Sequence, residues 1–208
     1  VRSADMHGFE PNPELMGIAR AGAGYNNIPV EKMAELGICV FNSPGANAEA
    51  VKEQSVCSLV MASRDVLGAA EWVKSISDRG GEIPALVEKG KSAFSGPELM
   101  GKTIGVLGLG ATGALVANVC LAMDMTVIGY DPFMSVEAAW RLSKDVDRAE
   151  DIGEIFRNSD YISINIPYNE NTHHLLDEKA FSMMKPRVRI INESRAEVVD
   201  DDAMLRAL

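Results

Sequence analysis

The chain has 208 residues, 47% of them hydrophobic, enough for a packed core in one large domain or one and a half. A formal charge of −10, with no dense run of Lys and Arg to offset it locally, argues against nucleic acid or an anionic membrane surface as a partner. No apolar run is long enough to span a bilayer and the start, Val-Arg-Ser-Ala-Asp-Met-His, lacks the layout of a signal peptide, so a cytoplasmic location is expected.

Val1 opens inside what reads as a strand. Glu14 to Asn42 reads as a helical stretch, a strand into Gly22-Ala-Gly24, a turn through Asn26 to Pro29, a helix to Leu36 and a strand from Ile38. From Ala46 to about Val73 an apolar pattern of helical period predicts one long helix separating two domains, residues 1–46 and 47–208. The breakers between Ser77 and Gly101 predict a surface loop. Strand 103–107 follows, then a helix to about Met123, a strand from Thr126 to Tyr130, helices around 136–142 and 151–157, and a strand from Tyr161 to Ile166. A helix from Asp177, a strand from Val188 to Asn192 and a helix from Asp200 complete the pattern. This alternation implies an α/β fold, a doubly wound parallel sheet of Rossmann type, joined to part of a second α/β domain. Both ends read as cut, with Leu208 inside a helix.

Cys39, Cys57 and Cys120 are widely spaced among apolar neighbours and read as reduced core residues. The adjacent His173 and His174 should point their rings apart, so no metal site is expected.

The run Lys102-Thr-Ile-Gly-Val-Leu-Gly-Leu-Gly-Ala-Thr-Gly113 carries the most chemistry. Gly108, Gly110 and Gly113 form G-x-G-x-x-G at the end of an apolar, partly β-branched strand. Gly108 allows the tight turn, Gly110 leaves room for a pyrophosphate, and Gly113 lets the next helix pack on the strand, its N–H groups facing the phosphates. Asp131 lies 23 residues beyond Gly108 (131 − 108), near the spacing of roughly 20 expected of a carboxylate that binds ribose hydroxyls. Its charge would repel a 2′-phosphate, which favours NAD over NADP. In such a sheet, ligands bind beyond the carboxyl ends of the strands, so residues after Ile166 and Asn192 are further candidates.

Six stretches in order, Val1-Arg-Ser-Ala4, Arg20-Ala-Gly-Ala-Gly-Tyr-Asn-Asn27, Phe41-Asn-Ser-Pro-Gly-Ala-Asn47, Gly101 to Gly108, Tyr130-Asp-Pro132 and Ile191-Asn-Glu-Ser-Arg195, resemble the D-isomer-specific 2-hydroxyacid dehydrogenases over essentially the whole chain. The resemblance implies a substrate domain and an NAD domain closing over a cleft. It places Arg2, Ser3, the Gly22-Ala23-Gly24 loop and Asn47 near the substrate, with Ala23 also touching the nicotinamide end of NAD. It makes Arg195 the catalytic residue, whose fixed guanidinium fork holds the substrate carboxylate and polarises the 2-carbonyl. Ala111 and Thr112 would meet the pyrophosphate, and Ile166, Glu193, Ser194 and Arg195 would line the nicotinamide pocket.

The sequence departs from that pattern at Asn165, where the family carries His, at Ala196, where it carries Gly, and at Glu193, which replaces a small or apolar residue. The family's His and Glu acid/base pair would fall beyond Leu208, and neither His7, His173 nor His174 sits at a matching position. The activity implied is NAD-dependent oxidation of a phosphorylated 2-hydroxy acid, D-3-phosphoglycerate, to its 2-oxo product in serine biosynthesis. The alternatives are another D-2-hydroxy acid or a non-catalytic NAD sensor of the corepressor kind. The apolar surplus of the helix from Ala46 predicts a homodimer.

Overall fold

A computed structural model describes residues Val1–Leu208 and divides into two compact units, Val1–Val51 and Lys52–Leu208. In the first, β1 (Gly17–Arg20) and β2 (Cys39–Asn42) pair in parallel, with α1 (Val30–Glu35) between them in sequence. Met6, Ile18, Ile28, Met33 and Ile38 form its core. Val1 has no strand of its own, although its amino group donates to Ala19 O (2.8 Å) and its carbonyl accepts from Ala21 N–H (2.8 Å). The helical stretch expected from Glu14 is absent. Gly17 to Arg20 satisfy their backbone by pairing with β2 instead, an override of local pattern by tertiary pairing.

The second unit is built on five parallel strands in the order β5-β4-β3-β6-β7: β3 (Thr103–Leu107), β4 (Thr126–Tyr130), β5 (Asp147–Arg148), β6 (Tyr161–Ile164) and β7 (Arg189–Asn192). The chain runs outward from β3 to one edge, then returns to place β6 on its other side. That is the doubly wound α/β arrangement, and the topological switch lies between β3 and β6. Ile104, Val106 and Tyr161 join one buried layer with Val116, Ala117 and Cys120 of α5 (Ala111–Ala122). Leu107, Ile162 and Ile164 join the other with Ile155 and Phe156 of α7 (Ile152–Asn158) and Ala180 of α8 (Glu178–Met183). Strands covered on both faces need apolar residues at consecutive positions, which is why they read as continuous runs. Two-residue β5 is too short and too charged to leave a period in the sequence.

The single helix expected over 47–73 is two, α2 (Ala48–Ser63) and α3 (Val66–Ser75). Asp65 separates them because its carboxylate accepts the Gly68 N–H (2.9 Å), capping a new helix rather than continuing the old one. The expected loop over 77–101 contains α4 (Ile83–Gly90) between two 3₁₀ turns, Gly80–Glu82 and Lys91–Phe94. Pro84 sits in the first turn of α4, where a missing N–H costs nothing, and a Cβ at Gly90 would overlap the Trp72 indole. Both supposed breakers thus serve the helix. Side-chain capping recurs further on: Ser135 caps α6 (Val136–Arg141), Asp151 caps α7, Asp177 caps α8 and Asp200 caps α9 (Asp201–Ala207). Of the cysteines only Cys120 is buried, and desolvation pushes its thiol up to about 12; Cys39 and Cys57 are exposed, against expectation.

Candidate active site

At the carboxyl end of β3, Gly108 has a φ of +83°, and a Cβ there would lie 2.8 Å from Asn165 O and 2.9 Å from the Ile166 side chain. A side chain is excluded by conformation and by space. A Cβ on Gly113 would overlap the Gly108 carbonyl oxygen, so α5 leaves the turn as close as two backbones allow. At Gly110 a Cβ would meet nothing within 4 Å, and this open face adjoins the start of α5. The first N–H of α5 to find a backbone partner is that of Ala114, bonded to Gly110 O (3.0 Å). The N–H groups of Ala111, Thr112 and Gly113 therefore remain available at the positive end of a twelve-residue helix. Room beside Gly110 and free donors from a helix end fit a pyrophosphate.

Asp131 follows β4 and is half-buried. Its Oδ2 accepts the Leu109 N–H (2.8 Å) and its Oδ1 accepts the Phe133 N–H (2.9 Å). The carboxylate thus holds the glycine turn from the neighbouring strand. Each oxygen keeps acceptor capacity for a ribose hydroxyl.

The chain leaving β7 is tied to its surroundings. Ser194 Oγ donates to Ile166 O (2.8 Å), joining the exits of β7 and β6 on one side of the switch. Asn192 reaches forward, its Nδ2 donating to Arg195 O (2.9 Å) and its Oδ1 accepting Ser194 N–H (3.0 Å). Glu193 is half-buried and its Oε1 accepts the Ser58 hydroxyl of α2 (2.7 Å). Arg195 itself is exposed, with one guanidinium N–H on Ser194 O (3.0 Å), so most of its fork faces outward. Asn165 turns its amide to Ser163 Oγ (3.0 Å) while its N–H bonds Leu107 O (2.8 Å).

Gly108, Gly110, Ala111, Thr112, Gly113 and Asp131 therefore share the exits of β3 and β4, and Ile166, Glu193, Ser194 and Arg195 share the exits of β6 and β7. The remaining sequence candidates belong to the first unit. Arg2 and Ser3 are exposed. Gly22 has a φ of +126° and its N–H is already bonded to Ser43 Oγ (2.8 Å), whereas the N–H groups of Ala23 and Gly24 make no hydrogen bond. Asn42 Nδ2 donates to Ala23 O (2.8 Å), and the Asn47 carbonyl accepts Val51 N–H at the start of α2. The rings of His173 and His174 do not point apart as expected; they stack at 3.9 Å, with His174 at a left-handed φ of +51°. No group of three or more His, Cys, Asp or Glu is arranged to hold a metal.

Residues 56–208 match the family model of the D-isomer specific 2-hydroxyacid dehydrogenase NAD binding domain. The chain belongs to this dehydrogenase family. It is 35% identical over 200 residues to D-3-phosphoglycerate dehydrogenase of Methanocaldococcus jannaschii, covering 96% of this chain and 36% of that protein. It is 35% identical over 196 residues to hydroxypyruvate reductase of Thermotoga maritima, covering 94% and 58%. Among solved structures, D-lactate dehydrogenase from Aquifex aeolicus in complex with NAD and lactic acid superposes with a TM-score of 0.74 at 29% identity, over 94% of this chain and 54% of that one. The chain therefore spans between about a third and three fifths of the length of these dehydrogenases. The glycine turn and its helix belong to the family's NAD-binding domain.

The links that sequence reasoning missed are Ser58 to Glu193, Ser194 to Ile166, and Asp131 to its own glycine turn. Ser58 and Glu193 are 135 positions apart and nothing local marks either as a partner. The third was half visible, since the spacing that suggested a ribose ligand also brings the carboxylate beside the turn.

Proposed function

We propose that the full-length protein is a cytoplasmic, homodimeric, NAD-dependent dehydrogenase that oxidises D-3-phosphoglycerate to 3-phosphohydroxypyruvate, in serine biosynthesis. The observation that carries the reading is the placement of Arg195 on a segment hydrogen-bonded to the exit of β6, beside the switch point where the glycine turn stands. The phosphoglycerate dehydrogenase likeness chooses the substrate, and another D-2-hydroxy acid is the runner-up, favoured by the likeness to hydroxypyruvate reductase.

In this reading the N–H groups of Ala111 and Thr112 take the pyrophosphate and Asp131 takes the adenosine ribose. NAD held there would supply the acceptor for the hydride that leaves C2 of the substrate, and the hydroxyl proton would pass to the His of the family's acid/base pair, for which no residue of this chain stands at a matching position. Arg195 pairs with the substrate carboxylate through parallel N–H···O bonds and withdraws electron density from the oxygen at C2 as the carbonyl forms. The Ser194–Ile166 bond fixes the backbone that carries Arg195, which limits the reorganisation needed for the guanidinium to meet the substrate. Arg2, Ser3, Ala23, Gly24 and Asn47 serve the substrate from the first unit.

The test is the initial rate of NADH formation from D-3-phosphoglycerate by the full-length protein. Arg195→Ala should lower kcat/KM about 10²–10³-fold, the loss seen when one preorganised donor is removed. Equal turnover of unphosphorylated D-glycerate would move the assignment to another hydroxy acid. NAD binding without turnover of any 2-hydroxy acid would sink it. Dimerisation is supported by the exposed Val66, Leu67 and Val73 of α3; light scattering should give twice the chain mass.

A further inference from the structure

At the opposite pole of the five-stranded sheet, where β3, β6 and β7 begin, lies a cleft of about 340 Å³ lined by Pro97, Lys102, Asp160, Tyr161 and residues 185–189. Four cations, Lys102, Lys185, Arg187 and Arg189, converge on it against a single carboxylate, Asp160. In a chain with 30 acidic and 20 basic residues this is an inversion of the average charge. Two of the cations are engaged: Lys185 Nζ pairs with Asp160 (3.0 Å), and Arg189 donates from Nε to Ala62 O (2.7 Å) while its guanidinium lies over the Tyr161 ring. Lys102 and Arg187 make no ion pair and no side-chain hydrogen bond.

Arg187 carries a second signal. Val188 N–H bonds Lys185 O (3.1 Å), closing a four-residue turn with Pro186 second and Arg187 third, and Arg187 takes a φ of +64°. A turn with a left-handed third residue takes glycine without strain, and an arginine there is disfavoured by its Cβ. Arg187 keeps this disfavoured conformation on the wall of the cationic cleft.

We propose that this cleft is an anion site for a phosphate group, bound by Lys102 and Arg187 with help from the outer N–H groups of Arg189 and Lys185. Guanidinium and ammonium donors around one small concavity suit a compact, doubly charged oxyanion with several acceptor oxygens. The site is independent of the cofactor edge, because Lys102 precedes β3 and Gly108 follows it, so the full length of the strand lies between them.

The probe is inorganic phosphate, titrated by calorimetry and followed by amide shifts in the full-length protein saturated with NAD, which occupies the other phosphate-binding edge. Binding should shift the amides of Lys102, Val188 and Arg189 and raise Tm by about 3–5 °C at a tenfold excess over Kd. Arg187→Gly and Lys102→Gln should each weaken phosphate tenfold or more. Arg187→Gly also relaxes the turn, so its Tm without phosphate should equal or exceed that of the parent, which separates loss of a ligand contact from loss of fold. If a phosphomonoester such as glycerol phosphate binds more tightly than inorganic phosphate, the site's ligand is an organic phosphate; the reverse order assigns it to the free ion. An equal Tm rise in the parent and both variants, or amide shifts confined to the ends of other strands, would overturn the proposal as a general salt effect.

Discussion

At the carboxyl end of the sheet a Cβ on Gly110 would meet nothing within 4 Å, whereas at the amino end Tyr161 is fully buried with its hydroxyl 2.7 Å from Ser63 Oγ. The first edge is made largely of backbone: glycines, unpaired N–H groups and a carboxylate that steadies the turn. The second is made of side chains, with Tyr161, Arg189, Asp160 and Lys185 bonded to α2, β3 and one another. One parallel sheet thus keeps one end open for a ligand that brings its own charge and closes much of the other with internal polar contacts. The capacity to bind the cofactor resides at one end of these strands and a network of internal polar contacts at the other, and substitutions should divide accordingly.

The largest effect is expected where the open edge is at its tightest. Gly113→Ala puts a methyl into the Gly108 carbonyl, so α5 must move off β3, at a cost of about 3 kcal/mol of stability, with NAD affinity falling at least tenfold. Gly110→Ala, three residues away, meets no protein atom and should leave the denaturation midpoint unchanged while still weakening NAD. Urea denaturation with NAD titration would check both. If Gly110→Ala bound NAD as the parent does, the space beside it would not be the phosphate site.

The closed edge should show the reverse. The Ser63 hydroxyl donates to Leu59 O (2.7 Å), so its oxygen is left to accept the Tyr161 proton. Tyr161→Phe strands that buried acceptor and should cost about 1–2 kcal/mol, with NAD affinity unchanged. A change in NAD affinity would mean that the two ends are coupled.

This division also explains what could be read from the chain. The open edge is legible because it depends on short-range features: glycines at fixed offsets, an apolar strand before them, and Asp131 at a set distance behind. The five-strand alternation is legible for the same reason, apart from β5, whose two charged residues carry no period. The closed edge is not, because Tyr161 finds Ser63 across 98 positions and Arg189 finds Ala62 across 127. A helix end set by a carboxylate cap, as at Asp65, is hidden where the apolar pattern continues past it. Pro84 and Gly90 look like breakers in sequence because their value depends on where in a helix they fall. The cationic cleft leaves no local trace since its cations come from two separate stretches, and only the strand starts bring Lys102 beside 185–189.

The smallest effect concerns Asp160, on the wall of that cleft. Burial pushes its carboxyl up, but the Thr103 N–H (2.9 Å), the Lys185 ammonium (3.0 Å) and the charge of Lys102 outweigh this and hold it below the ordinary carboxylate value. A carboxyl depressed in the folded state contributes stability that is fully present above its unfolded value, about 3.9, and disappears as pH falls through the folded one. The pair is a third or more exposed, so solvent screening limits the contribution to about 1 kcal/mol or less. Urea midpoints of the parent and Asp160→Asn should therefore differ by a constant amount from neutrality down to about pH 5 and converge below pH 4. Lys185→Gln removes one of the groups that depress Asp160, so its own deficit against the parent should also shrink in acid. Equal midpoints for the parent and Asp160→Asn at every pH would show that the carboxylate's charge adds nothing, and the amino edge would then owe its stability to Tyr161 and Arg189 rather than to charge.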